Sequence, residues 1–480
     1  MHRLLYSSFL RYMSQSEKRI NKLTGVSNMN RQRERLVVIG GNAAGLSAAS
    51  YVKRKRPETE VLVFEKSPYT SYGSCGLPYY IEGLVKDPME LIAVPISALK
   101  EKRGLDVRVL HEVTDVDTEK RRVRVRDIKG EKEIEFSYDW LVISTDASPV
   151  RPPLPGIGLN GVFTLRTLED GIRIENFIKV ESPKRVTIIG GGYIGMEVAE
   201  AFSIRGFEVT VVEKLPRVLS NFDAEFSERV GEKLREKGVK LILGSGVKSI
   251  KGDRIVRGII TETGTVETDL VLLGVGIKPQ ITLAKKSGIE IGETGAIKIN
   301  DRTETNIHRV YACGDCAEVH HRILKRNVWI PLGDTANKQG RITGANIVGE
   351  GVSFPGIIGS AATKVFELEL ARTGLGEEEA KSEGFDVTTT LIESFTRAHY
   401  YPNRKPIMIK LISEKKTKRL IGSQAMGGEG VAKRIDILAT AIWAGMKLDE
   451  IAWLDLTYVP PVAPVWDPVL VAAQVGMKGD

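Results

Sequence analysis

The chain has 480 residues, 42% apolar and 27% charged, with 48 Gly and 20 Pro; that is about three domains at roughly 150 residues each, and it excludes a disordered chain, a collagen-like repeat and a small disulfide-stapled secreted fold. No apolar run approaches the ~18 residues needed to cross a bilayer, so no membrane partner is expected. The net charge of +8 does not imply a nucleic-acid face, because eight of the 69 basic residues and only two of the 61 acidic ones lie in residues 1–35, leaving the body nearly balanced.

The basic leader lacks the apolar core and small-residue cleavage site of a secretion signal. Residues 1–34 read as a disordered extension, with Met29 marking residues 1–28 as upstream sequence included by a wrong start codon. Only Cys75, Cys313 and Cys316 are present. A disulfide framework is excluded, and a reducing, cytoplasmic setting is expected.

The first ordered segment is the strand-like Leu36-Val37-Val38-Ile39, followed by the turn Gly40-Gly41-Asn42-Ala43-Ala44-Gly45, a small-residue helix through Tyr51, and a buried strand from Glu60 to Glu65. About 150 residues on, the plan repeats. Arg185 to Ile189 leads into Gly190-Gly191-Gly192-Tyr193-Ile194-Gly195, a helix from Met196, and a strand from Val209 to Glu213. In each copy the glycines permit a tight turn and close approach to a pyrophosphate, whose charge the helix N-terminus favours. Glu65 and Glu213 lie 20 and 18 residues after the last glycine, at the reach needed to accept from ribose hydroxyls. Asn42 stands at the middle glycine position of the first copy, where it either crowds the pyrophosphate or supplies a hydrogen bond. Two dinucleotide sites in one chain suggest a nicotinamide feeding a flavin.

Between the copies, Trp140 to Ala147 is a strand running into a small-residue turn, followed by a proline-rich linker. The strand Leu270 to Gly276 precedes Pro279, and Val310 to Asp315 ends another strand in an acid. Beyond Gly351 alternating strands (Leu391 to Phe395, Ile407 to Leu411) and a helix near Ile435 to Trp443 indicate a separate α+β domain.

On these motifs the chain resembles the pyridine-nucleotide–disulfide oxidoreductases over about residues 36–475. The resemblance implies an α/β fold with two Rossmann-like three-layer units and a C-terminal α+β dimerisation domain. Residues 35–151 and 269–350 are then a discontinuous FAD-binding domain, 152–268 bind NAD(P)H, and 351–480 dimerise. For FAD it implies Gly40, Asn42, Ala43, Ala44, Gly45, Glu65, Lys66, Thr145, Arg151 and Asp315; the Thr145-Asp146-Ala147 turn stands where the family usually has Ala-Thr-Gly. For NADH or NADPH it implies Gly190, Gly192, Tyr193, Ile194, Gly195, Glu197, Glu213 and Gly276. The most similar subgroup is the single-cysteine coenzyme A-disulfide reductases, with related NADH oxidases and sulfur or polysulfide reductases.

Cys75 lies in Ser71-Tyr72-Gly73-Ser74-Cys75-Gly76-Leu77-Pro78-Tyr79-Tyr80. A dithiol reductase would carry a second cysteine at position 80, where this chain has Tyr. Cys75 must take its sulfur partner from a substrate or cycle through sulfenic acid; the alternative reading is a buried small hydrophobe. Gly76 and Pro78 suit the opening of a helix, whose dipole would favour a thiolate. Cys313 and Cys316 bracket Gly314-Asp315 and read as packing residues, with no zinc-like second pair.

The resemblance implies coenzyme A contacts for Ser47, Tyr51 and Arg54, which share one helix face, and for Ser71 and Ser74; the run Lys53-Arg54-Lys55-Arg56 reads equally as a solvated surface, and Lys100, Lys102 and Arg103 form a second candidate phosphate cluster. The same resemblance implies that Tyr400 or Tyr401, with Tyr458, reaches the cysteine site of the other subunit of a homodimer, where a phenol can donate to a departing thiolate; ordinary interface aromatics are the alternative.

The leading expectation is an FAD-dependent NAD(P)H reductase that cleaves coenzyme A disulfide through a Cys75 mixed disulfide. Polysulfide or sulfur reduction and NADH oxidation are the alternatives on the same scaffold. Ala43 stands where peroxidase and water-forming oxidase relatives carry His, which counts against dedicated peroxide chemistry. No rhodanese-like module precedes Asp480, so any sulfur transfer is expected from elsewhere. Glu213 favours NADH, while Lys214 and Arg217 leave room for NADPH, so dual use is expected. A flavoprotein acting only as a binding partner through its basic leader is the remaining class.

Overall fold

The computed structural model describes residues 34–478. The basic leader, apart from Glu34, lies outside the described residues.

Runs of buried β-branched residues, the pattern of strands buried on both faces, form two five-stranded parallel sheets that differ only in where one edge strand comes in the chain. The first runs in the order Val310–Ala312, Trp140–Ile143, Arg35–Ile39, Glu60–Glu65, Asp106–Val109. The second runs Val162–Phe163, Leu270–Leu273, Arg185–Ile189, Glu208–Glu213, Lys240–Leu243. The glycine-turn strand is central in both, in register with its acid-ending neighbour from Arg35↔Glu60 and Arg185↔Glu208 onward. A small antiparallel sheet accompanies each unit: His111–Asp117 with Arg122–Asp127 and Lys132–Ser137, and Val247–Gly252 with Val256–Thr261 and Thr265–Glu267. The internal duplication read from sequence is therefore a duplication of fold.

One boundary moves. The break expected at 268/269 falls before Leu270–Leu273, yet that strand pairs with Arg185–Ile189 and Val162–Phe163. The return to the first unit comes at Ile277–Pro279, which pairs antiparallel with Ala147–Pro149. The second helix also begins three residues earlier than expected, at Tyr193 rather than Met196, because Gly192 serves as its N-cap.

The helix Gly333–Ile347 closes the first unit by packing on Ala43–Lys55. The approach is close: a Cβ on Gly340 would strike the Ala44 carbonyl, and one on Gly344 would meet the Tyr51 Cβ at 2.6 Å. The C-terminal part is an antiparallel sheet in the order Ala361–Val365, Leu368–Gly374, Leu420–Gly427, Pro406–Glu414, Val387–Phe395, covered by the helices Val431–Ala444 and Pro468–Lys478. The largest apolar core joins all three parts: Leu77 and Ile81 from the cysteine segment, Met196 and Phe202 from the second unit, and Val365 and Met408 from the C-terminal sheet. Among the described residues, no helix is long and apolar enough to cross a membrane.

Candidate active site

A cavity of about 1230 Å³ lies between the two glycine turns. Pockets for one small molecule are usually about 300–1,000 Å³, so this space suits more than one such ligand. Its wall takes Asn42, Ala43, Ala44, Gly45 and Asp315 from the first unit, Gly190, Gly192, Tyr193, Ile194, Glu197, Glu213 and Gly276 from the second, and Ser74 and Cys75 from the cysteine segment. Gly40, Glu65, Lys66, Thr145, Arg151 and Gly195 are not wall residues.

The two turns are built alike. Gly40 (φ +104°) and Gly190 (φ +110°) take the left-handed conformation that glycine tolerates, and a Cβ there would strike the carbonyls of Ser144 and Gly274. The helices that follow, Ala43–Lys55 and Tyr193–Ile204, have no side-chain cap and no acid in their first turn. By contrast, Leu168–Glu181 is closed by a Thr167–Asp170 capping box. An uncapped N-terminus leaves N–H groups free for a phosphate, so both units fit a dinucleotide. The Asn42 amide oxygen accepts from Tyr72 N at 3.3 Å; its hydrogen bond goes to the cysteine-bearing segment.

The strand-end acids also match. The Glu65 carboxylate accepts from Gly41 N at 2.8 Å and Ser67 N at 2.9 Å. Glu213 accepts from Gly191 N at 2.5 Å and Leu215 N at 2.8 Å. Burial pushes the Glu65 carboxyl above the usual carboxylate range, opposed by those two N–H donors.

Cys75 is exposed on a single 3₁₀ turn, Ser74–Gly76, that opens into the helix Leu77–Glu82 with Pro78 in its first turn. The buried-hydrophobe alternative is thereby excluded. Tyr80, at the place of a second thiol, is buried; its ring lies against Gly171, where a Cβ would come within 3.3 Å. Glu197 hydrogen-bonds Thr363 Oγ1 at 3.3 Å, and its burial raises its carboxyl pKa. Cys313 and Cys316 are free and buried, with burial pushing their thiols up to about 12 and about 11. The Cys316 thiol donates to the Ile143 carbonyl at 3.5 Å. They are packing residues.

Of the coenzyme A candidates, Ser74 is on the cavity wall and the other five lie off it. Ser47 Oγ donates to Asn337 at 3.0 Å, Tyr51 OH donates to Glu350 at 2.6 Å, and Arg54 sits 5.1 Å from the Tyr51 ring centroid. Arg103 donates to Ser50 Oγ at 3.2 Å. Ser71 takes φ +56° and exchanges main-chain hydrogen bonds with Gly41 and Ala93. In the C-terminal part the hydroxyls of exposed Tyr400 and Tyr458 are 3.4 Å apart, whereas the Tyr401 ring lies under Arg397. None of the three tyrosines lines the Cys75 cavity.

Sequence reasoning missed Arg166, which ion-pairs with both Asp146 and Asp315 at the cavity. The Thr167–Asp170 capping box next to it was visible as a T-x-x-D pattern. The partners of Arg166, 20 and 149 residues away, were not. Glu262, Ser245 and Gly246 on the wall beside Glu213 were missed too.

The family model for pyridine nucleotide-disulphide oxidoreductases matches residues 34–340, and the model for that family's dimerisation domain matches 360–468. The chain belongs to this family. It is therefore an FAD- and NAD(P)H-dependent oxidoreductase. A relative from Pyrococcus horikoshii, named NAD(P)H coenzyme A polysulfide/persulfide reductase, is 44% identical over 92% of this chain and 98% of its own length. A Staphylococcus aureus coenzyme A disulfide reductase is 30% identical over 89% of this chain and 96% of its own. The solved structure of an NAD-dependent persulfide reductase from A. fulgidus superposes with a TM-score of 0.90 at 41% identity, covering 92% of this chain and 83% of that one.

Proposed function

We propose that this oxidoreductase cleaves sulfur–sulfur bonds in coenzyme A-linked acceptors, persulfide or polysulfide in preference to the disulfide, through Cys75 alone. The observation that carries this is the lone exposed thiol on the wall of a cavity shared by both dinucleotide turns, with buried Tyr80 in place of a resolving cysteine. The order of acceptors is supported by the relatives: the 44% relative is named for polysulfide and persulfide, the 30% relative for the disulfide. That order reverses the sequence-based expectation.

The thiolate of Cys75 attacks coenzyme A's own thiol sulfur, the inner one of the sulfur–sulfur bond. From the persulfide this forms a Cys75–S–S–CoA bond and releases hydrosulfide; from the disulfide the same bond forms and one coenzyme A thiolate leaves. Two electrons and a proton then break that bond, returning the Cys75 thiolate and free coenzyme A. Bound FAD supplies the two-electron exchange with NAD(P)H. The turn Asn42–Gly45 with Glu65 and Asp315 would hold FAD, and Gly190–Gly195 with Glu197, Glu213 and Gly276 would hold the nicotinamide nucleotide. Ser47, Tyr51, Arg54, Ser71, Ser74 and Arg103 would hold the coenzyme A arm and phosphates. In a homodimer, the hydroxyl pair Tyr400–Tyr458 would come from the other subunit to donate a proton to the departing sulfur; its exposure here leaves it free to do so.

The test is anaerobic NAD(P)H consumption by the purified holoenzyme with coenzyme A persulfide, coenzyme A disulfide, inorganic polysulfide without coenzyme A, and oxygen. The persulfide should give the highest kcat/KM; turnover with oxygen alone, and with no coenzyme A-linked acceptor, would sink the reading.

A carboxylate at the ribose repels a 2′-phosphate. Glu213→Gln should therefore raise kcat/KM for NADPH relative to NADH by about tenfold, the scale of one ~1.4 kcal/mol interaction. An unchanged ratio in steady-state assays would show that Glu213 does not read the ribose.

A further inference from the structure

Arg166 ties the second nucleotide unit to the first at the cavity. Its Nη2 bridges one carboxylate oxygen of Asp146 and, at 2.6 Å, one of Asp315. Its Nε is buried with no hydrogen-bond partner. Asp315 follows Gly314, whose added Cβ would meet the Ala44 Cβ at 2.9 Å. The acid thus sits beside the uncapped start of the first helix, on the flavin side of the cavity.

Asp146 is the unusual member. It takes φ +66°, the left-handed region where glycine is the default. Its carboxylate also accepts from Ala147 N at 2.7 Å, and its carbonyl accepts from Gln280 N at 3.0 Å. A glycine would satisfy the φ of the turn and the Gln280 hydrogen bond; only the carboxylate can hold Arg166 and accept from Ala147 N. Burial pushes the Asp315 carboxyl above its usual range, and Arg166 opposes that shift. The guanidinium therefore favours an ionised Asp315.

We propose that Asp146 is a positioning residue for the flavin: it pins the Arg166 guanidinium against Asp315, so that Asp315 is presented to the bound cofactor as a fixed acceptor. The strained turn is kept because a glycine there would leave Arg166 free to leave Asp315. Neither Asp146 nor Arg166 need touch the reacting atoms.

The test is FAD affinity, read by quenching of flavin fluorescence as deflavinated protein is titrated with FAD, beside the melting temperature of the same apoprotein. Asp146→Gly should bind FAD at least about fivefold more weakly while its apoprotein melts close to the native one, because the relief of φ +66° offsets the lost Ala147 hydrogen bond. Asp146→Asn, which keeps the Cβ, should weaken FAD to a similar degree. Arg166→Met should cost about tenfold or more. The double variant Asp146→Asn/Arg166→Met should be no weaker than Arg166→Met alone, as residues acting through one contact do not add. Unchanged or tighter binding in either Asp146 variant, or losses that multiply in the double variant, would overturn the proposal. If Arg166→Met does not fold, Arg166→Lys takes its place in the same cycle.

Discussion

Replacing Cys75 with Ser should reduce the turnover of every coenzyme A-linked acceptor by at least about 10³-fold, the scale seen when a catalytic nucleophile is removed. A serine hydroxyl is not ionised near neutral pH and forms no disulfide, so the bond that captures coenzyme A cannot form. The same variant should still be bleached by NADH under anaerobic conditions at close to the native rate, because both glycine turns, Glu213 and Glu197 are untouched. Stopped-flow reduction of the bound flavin, set beside steady-state acceptor assays, separates these two halves. A variant that reduces coenzyme A persulfide or disulfide as fast as the native enzyme would show that the lone thiol is not the redox centre.

Lys410→Met should destabilise the fold by about 3 kcal/mol or more, as breaking a buried ion pair does. The Lys410 side chain is buried on the strand Pro406–Glu414 and meets Asp223 at 2.8 Å, Glu225 at 2.6 Å and Glu377 at 2.7 Å. Burial works against its charge, yet the three carboxylates hold its pKa above the usual lysine range. Asp223 and Glu225 belong to the second nucleotide unit, so methionine would leave three acids facing one another where that unit meets the C-terminal sheet. Hydrogen bonds from Lys381 and Lys410 hold the Glu377 carboxyl below its usual range. Its contribution is therefore present above the unfolded carboxylate pKa of about 4.3 and fades as pH falls through the lower folded value. The deficit of the variant should be full at pH 7 and smaller at about pH 4, where the native protein is losing the Glu377 contribution. Urea unfolding followed by tryptophan fluorescence at both pH values reads this. Equal midpoints for variant and native protein at pH 7 would show that the cluster holds nothing together.

Much of this was legible from residue order alone. The two strand–glycine turn–helix–strand–acid units could be read because each is local: a buried β-branched run, a turn that only glycine permits, and an acid at fixed reach. The position-80 substitution was equally readable, since Tyr for Cys removes a resolving thiol whatever the surrounding fold. What failed was whatever depended on long-range pairing. The strand Leu270–Leu273 was seen, but assigned to the wrong unit, because apolar pattern does not say which sheet a parallel strand joins. Tyr400 and Tyr401 looked equivalent in sequence; only the fold places the Tyr400 hydroxyl beside that of Tyr458 and the Tyr401 ring under Arg397.

Residue order by itself determined the two dinucleotide turns and the lack of a resolving cysteine at position 80, because glycine turns and a missing cysteine act within a few residues of chain. The tertiary structure decided how they are brought together and what holds them there: the Asp146–Arg166–Asp315 contact, the Thr363 hydroxyl on Glu197, and the Lys410 cluster all join residues from distant parts of the chain. Charges and donors of that kind gain their strength from burial and a defined partner, and neither exists until the chain has folded.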